Sequence, residues 1–276
     1  MRKEISFLAV GLVLGALLTA SCFIYLNRQN GDAPPRKVLK LAHALDQTHP
    51  VHAGMEFMAK RLDEISGGTM EIQIFPNGQL GSEPETVEQL QRGALAMVKT
   101  SAAAMEGFVP EMAVFGMPYL FLDSDHYWNV LNGEIGRELL EAGAPVGIRG
   151  LCYYDSGSRS FYTIDGPVLE PTAVKGQKIR TLQSRMAMDL ISTLEGAPTP
   201  IPWGELYTAL QQRMVDGAEN NPPSLLSSRH YEVAKHYSLD EHTRIPDMVI
   251  FSQQIWDSLN PQQHEWVKQV AAESVT

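Results

Sequence analysis

Between residues 38 and 274 short apolar runs alternate with segments of helical period, and no other feature of the sequence restricts the fold as much. Residues 38–45 form an apolar run bounded by turns, which predicts a strand. Residues 52–65 place Met55, Met58, Ala59, Leu62 and Ile65 at helical spacing, and Ser66-Gly67-Gly68 stops that helix. Residues 70–75 alternate as a strand and run into the turn Pro76-Asn77-Gly78. Ser82 with Glu85 fits a capping box that opens a helix through about Leu90. The same signals predict strands at 95–100, 146–153, 177–182 and 246–251, and helices at 125–131, 134–142, 186–194 and 205–214. Asn260-Pro261 opens a last helix, asparagine as cap and proline in the first turn. Strand and helix in turn imply an α/β architecture with largely parallel sheets. In such sheets a ligand sits beyond the carboxyl ends of the strands. The loops near residues 46–49, 78–83, 100–104, 155–159, 181–184 and 219–223 are therefore where a site is expected.

Charge narrows the partners. The formal net charge is −10 at pH 7, the opposite of what a phosphate backbone demands, so nucleic acid is not an expected partner. An anionic ligand must then be held by a few local cations against the field of the whole chain. The sequence has no Gly-x-Ser-x-Gly elbow, no phosphate loop, no GxGxxG and no His-Glu-x-x-His. His43, His49 and His52 lie close together, but no matching carboxylate–histidine set follows them, and a metal is not expected. Ser156, Ser158 and Ser160 read as loop serines that satisfy backbone groups rather than as nucleophiles. Cys22 and Cys152 allow no disulfide framework and no cysteine zinc site. Neither catalysis nor a cofactor is expected.

The N-terminus reads as an address. Arg2 and Lys3 precede an uncharged, mostly apolar run over residues 5–26, with Thr19-Ala20-Ser21 just before Cys22. A cleaved signal, lipidation at Cys22 and a retained anchor are all open, since the run is near the ~20 residues that span a bilayer. Residues 1–30 are read as signal peptide or membrane or lipid anchor, and 31–37 as a polar linker. Each version puts the folded part outside the cytoplasm.

Two arginines stand out. Arg159 follows a predicted strand in Tyr-Tyr-Asp-Ser-Gly-Ser-Arg, and Arg180 stands inside the apolar run Lys-Ile-Arg-Thr-Leu. Each is either half of a structural ion pair or a planar fork that receives a ligand carboxylate through two parallel hydrogen bonds.

Four stretches carry a family likeness: Phe75-Pro-Asn-Gly-Gln-Leu-Gly81; Pro118-Tyr-Leu-Phe121; Gly176-Gln-Lys-Ile-Arg180; and Pro202-Trp-Gly-Glu-Leu-Tyr-Thr-Ala-Leu-Gln211 followed by Val215-Asp-Gly-Ala-Glu-Asn-Asn221. With the spacing between them, the chain from Leu39 to about Ser274 resembles the solute-binding proteins of TRAP transporters, the DctP family. The resemblance implies a two-domain periplasmic solute-binding fold, with hinge strands and a ligand cleft between the domains. Domain I would take residues 38–156 and 245–276, and domain II residues 157–244. The implied function is capture of a small organic acid in the periplasm and delivery to the membrane permease subunits of a TRAP transporter. Family members continue for several dozen residues past the last helix here, so domain I is expected to be truncated at its C-terminus.

The resemblance also implies roles. Arg180 matches the arginine that grips the ligand carboxylate, Arg159 a second ligand-facing arginine, and Asn220 an asparagine bonded to the ligand near that carboxylate. Trp203 stands where an aromatic packs on the ligand, its bland alternative being core or hinge packing. Glu83 stands where acidic residues bind ligand hydroxyls, or else is a first-turn helix charge. Lys99 and His49 are further expected contacts, and Gln79 and Asn77 weaker ones, since turn chemistry accounts for Asn77. Two arginines for one carboxylate, with Glu83, Lys99, His49 and Asn220 for hydroxyls, suggest a sugar acid, and the runs Asp216-Gly-Ala-Glu-Asn-Asn-Pro-Pro223 and Tyr153-Tyr-Asp-Ser-Gly-Ser-Arg-Ser-Phe-Tyr162 resemble the subgroup that binds hexuronates such as glucuronate or galacturonate. A C4-dicarboxylate or other organic acid, a membrane-anchored sensor and a secreted enzyme acting on sugar acids are the alternatives.

Overall fold

A computed structural model describes residues 36–275; the segment read as signal or anchor, and most of the linker after it, lie outside the described residues. Ten strands follow in chain order: β1 (Lys37–Ala42), β2 (Met70–Phe75), β3 (Met97–Ser101), β4 (Ile148–Tyr154), β5 (Arg159–Thr163), β6 (Lys178–Thr181), β7 (Ala197–Pro200), β8 (Gly217–Asn220), β9 (His236–Thr243) and β10 (Asp247–Ser252). They form two five-stranded sheets, ordered β2-β1-β3-β10-β4 and β7-β6-β8-β5-β9.

The first sheet is buried on both faces, and strand period decides which residue faces which layer. Along β10, Val249 and Phe251 join a core with Met55, Met58 and Leu62 of the helix Pro50–Ile65 and Val267, Val270 and Ala271 of the helix Pro261–Glu273. Met248 and Ile250 join the opposite core with Val87 and Leu90 of the helix Glu83–Gln91 and Tyr127 and Leu131 of the helix Ser124–Leu131. The second sheet repeats the plan on a smaller scale. Tyr162 and Ala218 pack on Leu206, Ala209 and Leu210. Phe161 and Ile179 pack on Val174 and Ile191.

The α/β reading holds, but the expectation of largely parallel sheets does not. β1 runs parallel to β3, whereas β10 is antiparallel to both β3 and β4. In the second sheet β6 is parallel to β7 and β8, while β5 is antiparallel to β8 and β9. The cause is the path of the chain. After β4 it leaves to build the second sheet, and it returns through residues 244–246 to insert β10 between β3 and β4. The outgoing and returning connections are tied by the Arg244–Asp155 ion pair.

Predicted and observed elements agree to within one to three residues through the first sheet. The capping box of Ser82 and Glu85 and the asparagine cap of the last helix are both present. Of the second sheet only β6 is predicted. β5 is buried at all five positions and so lacks alternation, and β7 is Ala-Pro-Thr-Pro at a sheet edge, where proline is tolerated. β8 is Gly-Ala-Glu-Asn, a polar string that only burial against Arg159 makes a strand. Short helices at Ala102–Met105, Pro222–Ser227 and Gln253–Asp257 are likewise unforeseen; the side chains of Ser101, Asn221 and Ser252 cap them.

Gly136 holds two helices against β4. A methyl group there would lie 1.9 Å from the Leu131 carbonyl oxygen, and the Gly136 carbonyl accepts from the Tyr153 hydroxyl at 2.8 Å. The clash is with backbone, which cannot step aside as a side chain can. Gly136→Ala is expected to lower stability by about 1–3 kcal/mol, read from the urea unfolding midpoint against an exposed control such as Gly107→Ala, which meets nothing within 4 Å.

Candidate ligand-binding site

Between the two sheets, next to a recess of about 430 Å3 that falls within the range of small-molecule pockets, lies a cavity of about 40 Å3. From the first sheet side it is lined by Glu83, Lys99, Ser101 and Asp247, and from the second by Arg159, Arg180, Trp203, Asn220, Asn221 and Ser224, with Ala44, Leu45, Leu182 and Ile245 as its apolar parts. The wider outer recess adjoins it and shares Ala44, Glu83, Arg180, Leu182 and Trp203. The cavity thus opens to solvent past the Trp203 ring.

Arg180 is the third residue of the four-residue strand β6, and the alternation of a sheet covered on both faces leaves it 2% exposed. Its Nε donates to the Ile201 carbonyl at 2.9 Å, and its guanidinium carbon lies 5.5 Å from the Trp203 ring centroid. Its Nη1 is buried and meets no acceptor. No carboxylate among the described residues forms an ion pair with it. Burial depresses its pKa, yet a guanidinium stays charged at ordinary pH. A buried charge with an unsatisfied donor costs several kcal/mol unless an anion meets it. The fold therefore presents one donor-rich cation to the cavity.

Arg159 opens β5 and is occupied differently. Nε and Nη2 grip the two Glu219 carboxylate oxygens at 2.6 and 2.8 Å, Nη2 also donates to the Glu219 carbonyl, and Nη1 donates to Asn220 Oδ1 at 2.7 Å. Of the five guanidinium N–H groups, one on Nη1 remains. The structural ion pair and the place in the cavity wall are thus both present at Arg159. Asn220 Oδ1 also accepts from the Asn221 backbone at 2.8 Å, which fixes the amide and leaves Nδ2 as its donor.

The charges continue behind the wall. His242 Nδ1 is 2.7 Å from Asp240 Oδ2, and its Nε2 is 3.6 Å from Glu219 Oε2. Burial disfavours charge on that ring, but Asp240 and Glu219 prevail and lift its pKa to about 9. Burial likewise disfavours ionised Glu219, and Arg159 with His242 overcomes it to hold the carboxyl at about 2. Arginine, glutamate, histidine and aspartate alternate in sign and together hold β5, β8 and β9 in place.

On the facing side, Lys99 Nζ is 2.8 Å from Asp247 Oδ1, and Asp247 Oδ2 accepts from Ser156 Oγ at 2.7 Å. Glu83, at the first turn of its helix, accepts with Oε1 from the Ser101 backbone at 2.8 Å and from Thr100 Oγ1 at 3.3 Å. It therefore fastens the helix to β3 as well as facing the cavity. Trp203 stands at the entrance with its ring 4.9 Å from that of His230. Burial and then Arg180 depress the His230 pKa to about 4, so its ring is neutral at pH 7.

Among the nine residues that the sequence points to, Arg180, Arg159, Asn220, Glu83, Lys99 and Trp203 converge on the cavity. Asn77 reaches only the outer recess, from a left-handed turn position with φ 56°. Gln79 is exposed and lines no part of the cavity. His49 sits one layer back: its Nδ1 caps the helix Pro50–Ile65 by accepting from the Val51 amide, and its Nε2 lies 3.2 Å from Ser224 Oγ. Asp247 and Ser224 are cavity residues outside the loops singled out above, whereas Ser101 and Asn221 lie within the loops at 100–104 and 219–223 without being named as contacts. Asp247 and Ser101 are opposite each other across β10 and β3. Because β10 is antiparallel, its first residue reaches the edge where β3 ends. A rule that looks beyond carboxyl ends passes over it. Two further side-chain hydrogen bonds bring the two sides together, Ser224 with His49 and Ser184 Oγ with Glu106 Oε2 at 2.6 Å. Among the described residues no group of three or more His, Cys, Asp or Glu is placed to hold a metal ion, and no helix is long and apolar enough to cross a membrane.

Comparison with known proteins follows the same lines. The family described as bacterial extracellular solute-binding protein, family 7 (DctP), matches residues 41–276. A TRAP periplasmic solute-binding protein of Bradyrhizobium sp. BTAi1, solved with α/β-D-galacturonate, is 43% identical, with TM-score 0.84 over 87% of this chain and 80% of the other. One from Pseudomonas putida F1 with bound D-glucuronate is 37% identical, with TM-score 0.83 over 86% and 78%. The C4-dicarboxylate-binding periplasmic protein DctP of Rhodobacter capsulatus is 30% identical over 263 residues, 95% of this chain and 78% of the relative.

The raised His242 and the lowered Glu219 pull the pH response of the folded state in opposite directions. His242 binds its proton more tightly folded than unfolded, so its contribution is complete below its ordinary value of 6.5 and is lost as pH rises through about 9. The lowered Glu219 acts at the other end, its contribution fading as pH falls from 4.5 through about 2. The thermal midpoint of the wild type is expected to fall between pH 6.5 and 9, and His242→Gln to flatten that fall. Parallel wild-type and variant curves over this window would remove His242 from the account.

Proposed function

Because the chain belongs to family 7 of the bacterial extracellular solute-binding proteins, the DctP family, we propose that it is the extracytoplasmic binding subunit of a TRAP transporter and that it captures a hexuronate, D-galacturonate or D-glucuronate in kind, for a membrane permease. The observation that carries this reading is the buried Arg180 guanidinium, whose Nη1 meets no acceptor at the back of the cavity. A ligand carboxylate is the group that fits there. Two relatives of 43% and 37% identity bind galacturonate and glucuronate. We take residues 38–156 with 245–276 as one domain and 157–244 as the other, closing on the ligand about the Asp155–Arg244 connection. The apolar run before residue 31 serves export in this reading, whether cleaved or retained.

The charge pattern favours one carboxylate over two. Lys99, Arg159 and Arg180 are the cations that line the cavity. Lys99 is neutralised by Asp247 and Arg159 by Glu219, which leaves Arg180 alone to balance ligand charge. Glu83 adds a carboxylate that a second ligand carboxylate would meet as a like charge. The remaining groups, Asn220 Nδ2, Ser101, Ser224 and the spare N–H groups of Lys99 and Arg159, suit hydroxyls. A C4-dicarboxylate is the second reading, on the strength of the Rhodobacter relative.

Binding rather than turnover is the reading for the serine–histidine contact at the cavity. His49 Nδ1 accepts the Val51 amide hydrogen, so Nε2 carries the ring proton and donates to Ser224. A ring in that tautomer cannot take the hydroxyl proton, and burial holds its pKa near 4.

Titration calorimetry of residues 31–276 with D-galacturonate, D-glucuronate and succinate tests the proposal. Saturable hexuronate binding is expected, weakened by about 2–4 kcal/mol in Arg180→Ala, the range for losing one side of a buried charged contact. Binding of succinate alone would retain the transporter role and overturn the hexuronate; full affinity in a folded Arg180→Ala would overturn the clamp.

A further inference from the structure

We infer that Asp247 sets the charge class of the ligand by cancelling Lys99, and so positions the cavity for monoacids with hydroxyls against diacids. The inference rests on the binding reading above and adds the residue that decides between its two ligand classes. Lys99 and Asp247 are diagonal neighbours on adjacent antiparallel strands, since Lys99 is opposite Val249 and Asp247 is opposite Ser101. Both therefore emerge on one face, at the edge where the cavity begins. The Lys99 side chain is 3% exposed and that of Asp247 12%, and their polar atoms are 2.8 Å apart. At this depth water screens the pair weakly, so each charge is cancelled chiefly by the other.

The aspartate is itself held. Oδ1 faces Lys99 and Oδ2 accepts from Ser156 Oγ at 2.7 Å, and Ser156 lies in the segment that leads from β4 to β5. One carboxylate oxygen thus serves each neighbour, and the carboxylate is not free to turn away from the lysine. Without Asp247 the same wall would present Lys99 as a second unpaired cation beside Arg180. A diacid needs two such cations, whereas a sugar acid needs one cation and neutral donors. Lys99 bound to Asp247 still has N–H groups to give a hydroxyl, but no net charge to give a carboxylate. Loss of the aspartate adds one positive charge to the cavity. That change favours a ligand of charge −2 over one of charge −1, whatever their shapes.

Asp247→Asn keeps the shape and removes the charge. Wild type, Asp247→Asn, Lys99→Met and the double variant Lys99→Met/Asp247→Asn are each titrated with D-galacturonate and with succinate, after circular dichroism and thermal melting confirm folding. The ratio of the two dissociation constants is the readout, because a variant that merely loosens the site weakens both ligands together. In Asp247→Asn the ratio is expected to move toward succinate by roughly tenfold or more, and in the double variant to return toward the wild-type value. An unchanged ratio in folded Asp247→Asn overturns the inference, as does a shift that persists in the double variant. If Asp247→Asn fails to fold, Ser156→Ala, which loosens the aspartate and leaves its charge, must move the ratio in the same direction by a smaller factor, and no movement there overturns the inference. Wild-type protein that binds no hexuronate refutes the earlier binding reading; wild type that binds it while the variants hold the ratio refutes only the role of Asp247.

Discussion

A guanidinium that is 2% exposed and, among the described residues, has no carboxylate to answer it is expensive, and much of the molecule can be understood as making it tolerable. Strand β6 brings Arg180 into the interior, the Ile201 carbonyl takes one donor, and the Trp203 ring lies over part of the cation. Every other cation at the cavity is cancelled. Arg159 is locked to Glu219 and Lys99 to Asp247, so that among the cations lining the cavity the unpaired one is Arg180. A protein of formal net charge −10 attracts an anion only through such a local exception.

Chain path supplies the geometry. Because the chain leaves the first sheet after β4 and comes back as β10, two unlike edges meet at one cavity: carboxyl ends of the parallel strands and the first residues of antiparallel ones. Glu83 and Lys99 come from the first kind, Asp247 and Arg159 from the second. The alternating run Arg159, Glu219, His242 and Asp240 then fastens three strands of the second sheet with charge rather than with a thick apolar layer, which suits a lobe whose clusters are smaller than those of the first. Buried ion pairs are weak sources of stability and strong sources of register.

Legibility in the sequence followed the apolar pattern. The helix Pro50–Ile65, strand β2 and the capped helices at Glu83 and Pro261 were readable because their spacing and caps are local properties. Strands β5, β8 and β9 were not, because Glu219, Asn220, Ser238, His242 and Thr243 are buried by partners distant in sequence. The family likeness suggested ligand roles for Asn220 and for Arg180 and Arg159, the two arginines that pattern alone left as either ion pairs or ligand forks. At Arg159 the structure shows an ion pair that also faces the cavity, an outcome the two alternatives did not separate.

The sequence by itself determined the α/β rhythm, the family and the residue types that converge on the cavity, since each is written in spacing or in contiguous motifs. Tertiary structure alone decided that Lys99 is paired with Asp247, that His49 contacts Ser224 one layer behind the cavity wall and that, among the described residues, Arg180 has no ion-pair partner. Those outcomes depend on which charge lies within 3 Å of which, and a chain that inserts β10 between two earlier strands sets that distance without any local signal.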